Sequence, residues 1–236
     1  MLDRQVSRRS LLVAAGGIAC SRAARGNAQE VAKPKPVLRP ESPREALAQL
    51  ISGNRRFVAG QTQHAHEAAA WRTHLVEGQQ PIATILGCSD SRVPPELVFD
   101  QGFGDLFVVR VAGNIIEPAV FGTIGYAVEH LKTSLLVVLG HQQCGAVTAA
   151  LDGLRRNVED QPGIEALLNY VKPSLKDIDP TLPRTMQIEI GVEANVRRAT
   201  AQIAASPEGK RAIKEGRHLV VGAVYELTTG QVRFLD

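Results

Sequence analysis

The sequence predicts an α/β fold, a mostly parallel central β-sheet with an antiparallel edge strand, flanked by helices. Three observations predict it. Short apolar runs of strand character alternate with segments of helical period, the pattern of strand-helix-strand units. Two of those runs, Ile82 to Leu86 and Leu135 to Leu139, end in the glycine-bounded loops Gly87-Cys88-Ser89-Asp90-Ser91-Arg92 and Gly140-His141-Gln142-Gln143-Cys144-Gly145. The chain closes on two strand-like runs joined by Thr228-Thr229-Gly230, a hairpin signal. If the first two strands are parallel neighbours, both loops lie at the carboxyl edge of one sheet, where open α/β sheets bind ligands.

The elements follow in order. Ser42-Pro43 predicts a helix start, Ser as N-cap and Pro at the first helical position, with Leu47, Leu50, Ile51, Phe57 and Val58 as its apolar stripe. A polar stretch from Gln61 to His74 reads as a solvated loop or helix edge. Its His64 and His66 could hold a metal weakly, but no cysteine or acid cluster supports them. Pro94-Pro95-Glu96 predicts a short helix, Leu106 to Val109 a second strand, and Glu117 to Lys132 a long helix striped by Val120, Ile124, Ala127, Val128 and Leu131. Helices are expected from Cys144 to Leu151, Pro162 to Asp177 and Arg184 to Ser206, then strands from Leu219 to Tyr225 and Gln231 to Leu235.

The formal charge of +3 over 236 residues suggests nucleic acid only until its location is considered. The first 28 residues hold Arg4, Arg8, Arg9, Arg22 and Arg25 against Asp3 alone, which leaves the remainder with a net charge of −1. That leader has a charged start, an apolar segment from Leu11 to Cys20 and a small-residue cleavage site at Gly26-Asn27-Ala28. Ser7-Arg8-Arg9-Ser10-Leu11-Leu12 resembles a twin-arginine export signal, so residues 1–28 are expected to direct the chain to a bacterial periplasm. A transit peptide is disfavoured because Ser10 to Cys20 lacks arginine, and Gly17-Ile18-Ala19-Cys20 is a poor lipoprotein signal. Residues 29–41, rich in Pro and Lys, read as a linker, and residues 42–236 as one domain without a transmembrane segment.

Removal of the leader leaves two cysteines, Cys88 and Cys144. They read either as one disulfide or as a pair of metal thiolates, and His141, three residues before Cys144, favours the metal. Two sulfurs and an imidazole suit tetrahedral zinc with a fourth position open, the catalytic rather than the structural pattern. Two thiolates cancel the dication's charge, so such a site should work better at alkaline pH unless neighbours help. Asp90 could orient a nucleophile and Arg92 could keep that carboxylate ionised; in isolation the two would read as a loop ion pair.

Cys88-Ser89-Asp90-Ser91-Arg92 followed by Gly140-His141-x-x-Cys144-Gly145 resembles the β-class carbonic anhydrases, from about Ser42 to the last strands. The resemblance implies one zinc ion on Cys88, His141 and Cys144, Asp90 and Arg92 as the catalytic dyad, and reversible hydration of carbon dioxide to bicarbonate by zinc-generated hydroxide. It further implies Gln79, Phe107, Ala112 and Tyr126 around the substrate, and a homodimer or dimer of dimers with the pocket at the subunit interface. Taken without the resemblance, Tyr126 is equally a core residue. Some members bind regulatory bicarbonate with a tryptophan, an arginine and a tyrosine; Arg110 and Tyr126 fall at the last two positions, but Ile85 replaces the tryptophan. The expected state is open, with Asp90 paired to Arg92. His64, His66, His74, His130 and His218 read as surface or core residues, with none assigned as a proton shuttle. Two other functions fit parts of the pattern: hydrolysis of carbon disulfide or carbonyl sulfide on the same scaffold, and a non-enzymatic binding module stabilised by zinc or a disulfide.

Overall fold

Every non-polar run that the sequence marks as a strand enters one sheet. The computed structural model describes residues 39–156 and 159–236. The export signal, and the linker as far as residue 38, lie outside the described residues. Strands β1 (Ala83–Gly87), β2 (Leu106–Arg110), β3 (Leu135–His141), β4 (Leu219–Tyr225) and β5 (Val232–Phe234) are ordered β2-β1-β3-β4-β5. All neighbours are parallel except β5, which returns antiparallel on β4 after the Thr228–Gly230 turn. The strand order reverses between β1 and β3, so a crevice opens beyond their carboxyl ends. Cys88 leaves β1 there and His141 is the last residue of β3.

Both faces of β1 and β3 are covered, which is why these strands are continuous apolar runs rather than alternating ones. Ile85, Val137 and Leu139 face a core closed by α1 (Pro43–Val58), through Ala46 and Leu50, and by Phe99 at the end of α3 (Pro95–Val98). The short α2 (Ala69–His74) precedes β1 within the stretch read as a solvated loop or helix edge. Leu86, Leu136 and Val138 face the other core, built by α4 (Pro118–Glu129), α5 (Gly145–Arg156), α6 (Pro162–Val171) and α7 (Arg184–Ala205). A further helix, α8 (Pro207–Lys214), was not expected. Ser206 ends α7 and caps α8, its hydroxyl accepting from the Gly209 N–H, the same Ser-Pro start seen when the Ser42 hydroxyl accepts from Glu45 N–H in α1.

Two other differences follow from local chemistry. The helix expected from Pro162 to Asp177 stops at Val171 and tightens into a 3₁₀ turn over Lys172–Ser174, where Pro173 removes a backbone donor. Strand β3 runs two residues beyond Leu139, because Gly140 and His141 stay in register with Val224 and Tyr225 of β4. Glycine is needed at 140, since a Cβ there would lie 2.5 Å from Val196 Cγ2. No described helix is long and apolar enough to cross a membrane.

Candidate metal centre

The two glycine-bounded loops meet at the crevice. Among the described residues, Cys88, His141 and Cys144 form the one group of three or more potential metal-ligating side chains whose ligand atoms converge, all within 4.8 Å of one another. All three are buried. Cys88 is delivered by the carboxyl end of β1, His141 by that of β3, and Cys144 by the turn into α5. Gln143 takes a left-handed conformation (φ 55°) that brings the chain round from His141 to Cys144.

The donor chemistry suits a cation. His141 Nδ1 donates to the Gln142 carbonyl at 2.9 Å, an assignment that follows because a carbonyl can only accept. The Nε2 lone pair is therefore turned inward, and that buried atom has no hydrogen-bond partner. Contact between the two sulfurs drives their acidities apart. Pairing with Cys144 foremost, helped by His141, the Gly113 N–H and the Asp90 backbone, lowers Cys88 to about 4 against the opposing cost of burial. Cys144 is pushed far up, by the same pairing and then by burial, with the Val147 and Ala146 N–H groups at the start of α5 pulling the other way. A divalent metal ion between the two sulfurs would balance both thiolates and accept the lone pair of the orphaned nitrogen, so the three residues fit one.

Asp90 stands beside this cluster, Oδ2 at 3.8 Å from His141 Nε2. Arg92 grips its carboxylate from two sides: Nε to Oδ1 at 2.9 Å, Nη2 to Oδ2 at 2.7 Å, with the Arg92 N–H also reaching Oδ1 at 3.0 Å. These bonds from Arg92 outweigh desolvation and hold the Asp90 carboxyl well below the usual carboxylate range. The pair lends stability above the ordinary aspartate pKa of about 4, and that contribution is lost as pH falls through the depressed value. Arg110 fixes the loop by donating from Nε to the Cys88 carbonyl at 2.9 Å and from Nη2 to the Asp90 carbonyl at 2.5 Å.

Gly113 and Asn195 support the site without having been singled out in the sequence. Gly113 N–H points at Cys88 Sγ at 3.3 Å, and its φ of 71° favours glycine; a Cβ there would stand 3.1 Å from Ala146 Cβ and 3.2 Å from Val171 Cγ2. Asn195, buried in α7, donates from Nδ2 to the Gly113 carbonyl at 2.8 Å and so holds that turn from behind. Replacing Asn195 by leucine leaves the carbonyl unmatched. The expected cost is about 1–3 kcal/mol of unfolding free energy, read as a lowered urea midpoint at unchanged denaturant slope.

The structure divides the pocket residues. Ala112 lies in the Ala112–Asn114 turn beside Gly113, next to the cluster. Phe107 pairs with Thr84, three positions back along β2 from the level of Gly87, about 10 Å away along the strand. Its ring lies 6.2 Å from that of Tyr126, which is 50% exposed rather than core. Gln79 is exposed before the amino end of β1, so the length of that strand, about 17 Å, separates it from the level of Cys88 within the chain. Ile85 is fully buried in the core opposite to that of Cys88, so its position cannot join Arg110 in an anion site without repacking. His64 is exposed and bonded to Thr62 and Glu67, whereas His66 stacks on Trp71 and bonds to Asp105 at 2.7 Å.

Comparison with known proteins points the same way. Residues 83–232 match the family model described as "Carbonic anhydrase". "Carbonic anhydrase 2" of Mycobacterium tuberculosis is 40% identical over 201 residues, covering 83% of this chain and 94% of the relative. The "Carbonic anhydrase" of Mycolicibacterium smegmatis is 40% identical over 193 residues, covering 81% and 92%. Among solved structures, the β-carbonic anhydrase CcaA superposes with a TM-score of 0.66 at 28% identity, over 81% of this chain and 88% of that one. With the sheet order, the converging Cys-His-Cys set and these relatives in agreement, the chain belongs to the β-class carbonic anhydrase family.

Proposed function

We propose that this protein catalyses the reversible hydration of carbon dioxide to bicarbonate with a zinc ion held by Cys88, His141 and Cys144. The observation that carries this reading is the buried, inward-facing His141 Nε2 between two thiol sulfurs, beside a carboxylate locked to arginine. Zinc bound there would supply the Lewis acidity that makes a hydroxide nucleophile available near neutral pH.

The chain's own residues do the rest. Asp90, ionised throughout the working range, accepts the remaining O–H proton of the nucleophile in a hydrogen bond and so aims its lone pair at the substrate carbon. It is held too far below neutrality to act as a proton donor. Arg92 fixes the carboxylate's plane, and Arg110 fixes the Cys88–Asp90 backbone that carries it. Ala112 offers a small apolar wall suited to a non-polar gas. Gln79 and Phe107 lie about 17 and 10 Å along the strands from the level of Cys88, and Tyr126 sits beside Phe107, so we assign them to the pocket of a second copy, in a dimer or dimer of dimers. A β-carbonic anhydrase of Sordaria macrospora, one of two described as tetrameric, matches at 25% identity (TM-score 0.64, covering 81% of this chain and 98% of that one), which supports this assembly. A monomer by analytical ultracentrifugation at assay concentration, with full activity, would refute it.

Stopped-flow hydration of carbon dioxide tests the function, with carbonyl sulfide as competing substrate. Rapid acidification of the buffer with little sulfide release is expected; the reverse preference would assign the chain to the hydrolases that act on sulfur analogues. The proposed export route rests on the Arg8-Arg9 pair and the apolar segment after it. Fractionation should place the protein in the periplasm, and Arg8→Lys with Arg9→Lys should retain it in the cytoplasm; export of that variant at wild-type yield would remove the twin-arginine assignment.

A further inference from the structure

Gln79 is exposed, yet the chain on either side of it is fastened to one turn, Gly102-Phe103-Gly104-Asp105. Three residues beyond Gln79, the Ile82 N–H donates to the Asp105 carbonyl at 2.8 Å. On the amino side, Leu75 packs at Gly104 and Trp71 Nε1 donates to the Phe103 carbonyl at 2.8 Å. His66 Nδ1 donates to the Asp105 carboxylate, 2.8 Å from one oxygen and 2.7 Å from the other, and the Gly102 N–H reaches the second oxygen at 2.8 Å. The His66 and Trp71 rings stack with centroids 4.1 Å apart, 19° from parallel.

The turn is shaped for this close approach. A Cβ at Gly102 would stand 1.9 Å from the Ala65 carbonyl oxygen and 2.7 Å from His66 Cβ, and one at Gly104 would stand 2.8 Å from Leu75 Cδ2. His66 itself is left-handed, at φ 61°. That conformation is uncommon for a residue with a Cβ, and it persists where surrounding contacts fix it.

These contacts do not serve a core. Neither α2 nor the 3₁₀ turn Leu75–Glu77 buries a residue, and a helix of six residues is not stable on its own in water. Ordering such a segment costs chain entropy, and what it yields is a fixed path from Trp71 to Gln79. We propose that His66, acting through Asp105 and Trp71, is a positioning residue that sets Gln79 for the pocket of the second copy. The proposal rests on the assignment of Gln79 to that pocket. A side-chain amide donates well to a substrate oxygen only over a narrow range of distance and angle, so a displaced Gln79 loses its bond as surely as an absent one.

Stopped-flow carbon dioxide hydration by the zinc-loaded full chain, in a double-mutant cycle of His66 and Gln79, tests this. Gln79→Ala is expected to lower kcat/KM about tenfold. His66→Phe keeps a ring on Trp71 but cannot donate to Asp105, and should lower it about fivefold. The double variant should match Gln79→Ala within about twofold, because the same hydrogen bond is lost once. Both single variants should divide their loss between kcat and KM in the same ratio, with zinc content and sedimentation mass unchanged. His66→Gln, whose amide can donate to Asp105, should recover most of the rate. Losses that multiply to about fiftyfold in the double variant, wild-type kinetics in His66→Phe, no recovery in His66→Gln, or zinc or assembly falling with the rate would overturn the proposal. If His66→Phe fails to fold, Trp71→Phe, which removes the bond to the Phe103 carbonyl, takes its place in the cycle with the same expected pattern. Wild-type kinetics in Gln79→Ala would remove Gln79 from the pocket and the proposal with it, whereas multiplying losses leave the pocket assignment standing.

Discussion

Replacing Cys144 by alanine is expected to remove both the metal and the activity. The substitution leaves one sulfur and one nitrogen, at the end of β1 and the end of β3, with nothing to close the third side of the cluster. Loss of an outer partner of a metal ligand alone costs about 10–100-fold in affinity or activity, and a direct ligand counts for more. The expected fall in kcat/KM for carbon dioxide is therefore at least ~10³-fold, with zinc per chain falling from near one to near zero after dialysis. The fold should survive, because Cys144 contributes little apolar volume and α5 is held through Val147, Ala150 and Leu151. Far-ultraviolet circular dichroism checks this. Wild-type activity in a folded Cys144→Ala protein would end the metal assignment.

Asp90→Asn should produce the second largest effect, with a different signature. The cluster is untouched, so zinc should be retained at wild-type stoichiometry. What is lost is the charged acceptor that aims the nucleophile, and Arg92 is left without its anion. Removal of one positioned electrostatic group costs about 10²–10³-fold in kcat, and that range is expected here by stopped flow. The pH profile adds a check. Because Arg92 holds Asp90 far below neutrality, protonation of this carboxyl should not shape the wild-type profile above pH 5. Arg92→Ala releases that hold, so the carboxyl should move back toward about 4 and an acidic limb should approach the working range. A variant Asp90→Asn with undiminished kcat would demote the pair to a loop contact of the exposed kind.

Elements of this fold differ in how plainly their residues announce them, for physical reasons. Strands β1, β3 and β4 were legible because burial on both faces makes them unbroken apolar runs, and their neighbouring loops carry the cysteines and histidine that no packing requirement explains. The meeting of Cys88 with His141 follows from β1 and β3 being parallel neighbours, which the alternation of strand and helix already implies. Helix α8 escaped, although Ser206-Pro207 repeats the Ser42-Pro43 signal, because its polar composition gives only a short apolar face under Ala212. The helix α2 hides in a polar stretch for the same reason. Asn195 was invisible because a polar residue in an amphipathic helix looks solvent-facing, and only the register of α7 against the Ala112–Asn114 turn buries it. Gly113 could have been suspected from Val111-Ala112-Gly113-Asn114, but its left-handed turn and its contact with Cys88 Sγ depend on β2 ending beside β1. Gln79 shows the limit of reading along one chain: its separation from Cys88 in space emerges only when β1 is laid out between them.

Zinc K-edge X-ray absorption on the purified protein reads the ligand set itself. If Cys88, His141 and Cys144 hold a zinc ion with one position open, the first shell should contain two sulfur scatterers at about 2.3 Å and two light atoms at about 2.0–2.1 Å, one carrying the outer-shell pattern of imidazole. A first shell of four sulfurs, one with no sulfur, or metal-free protein that is fully active would contradict it.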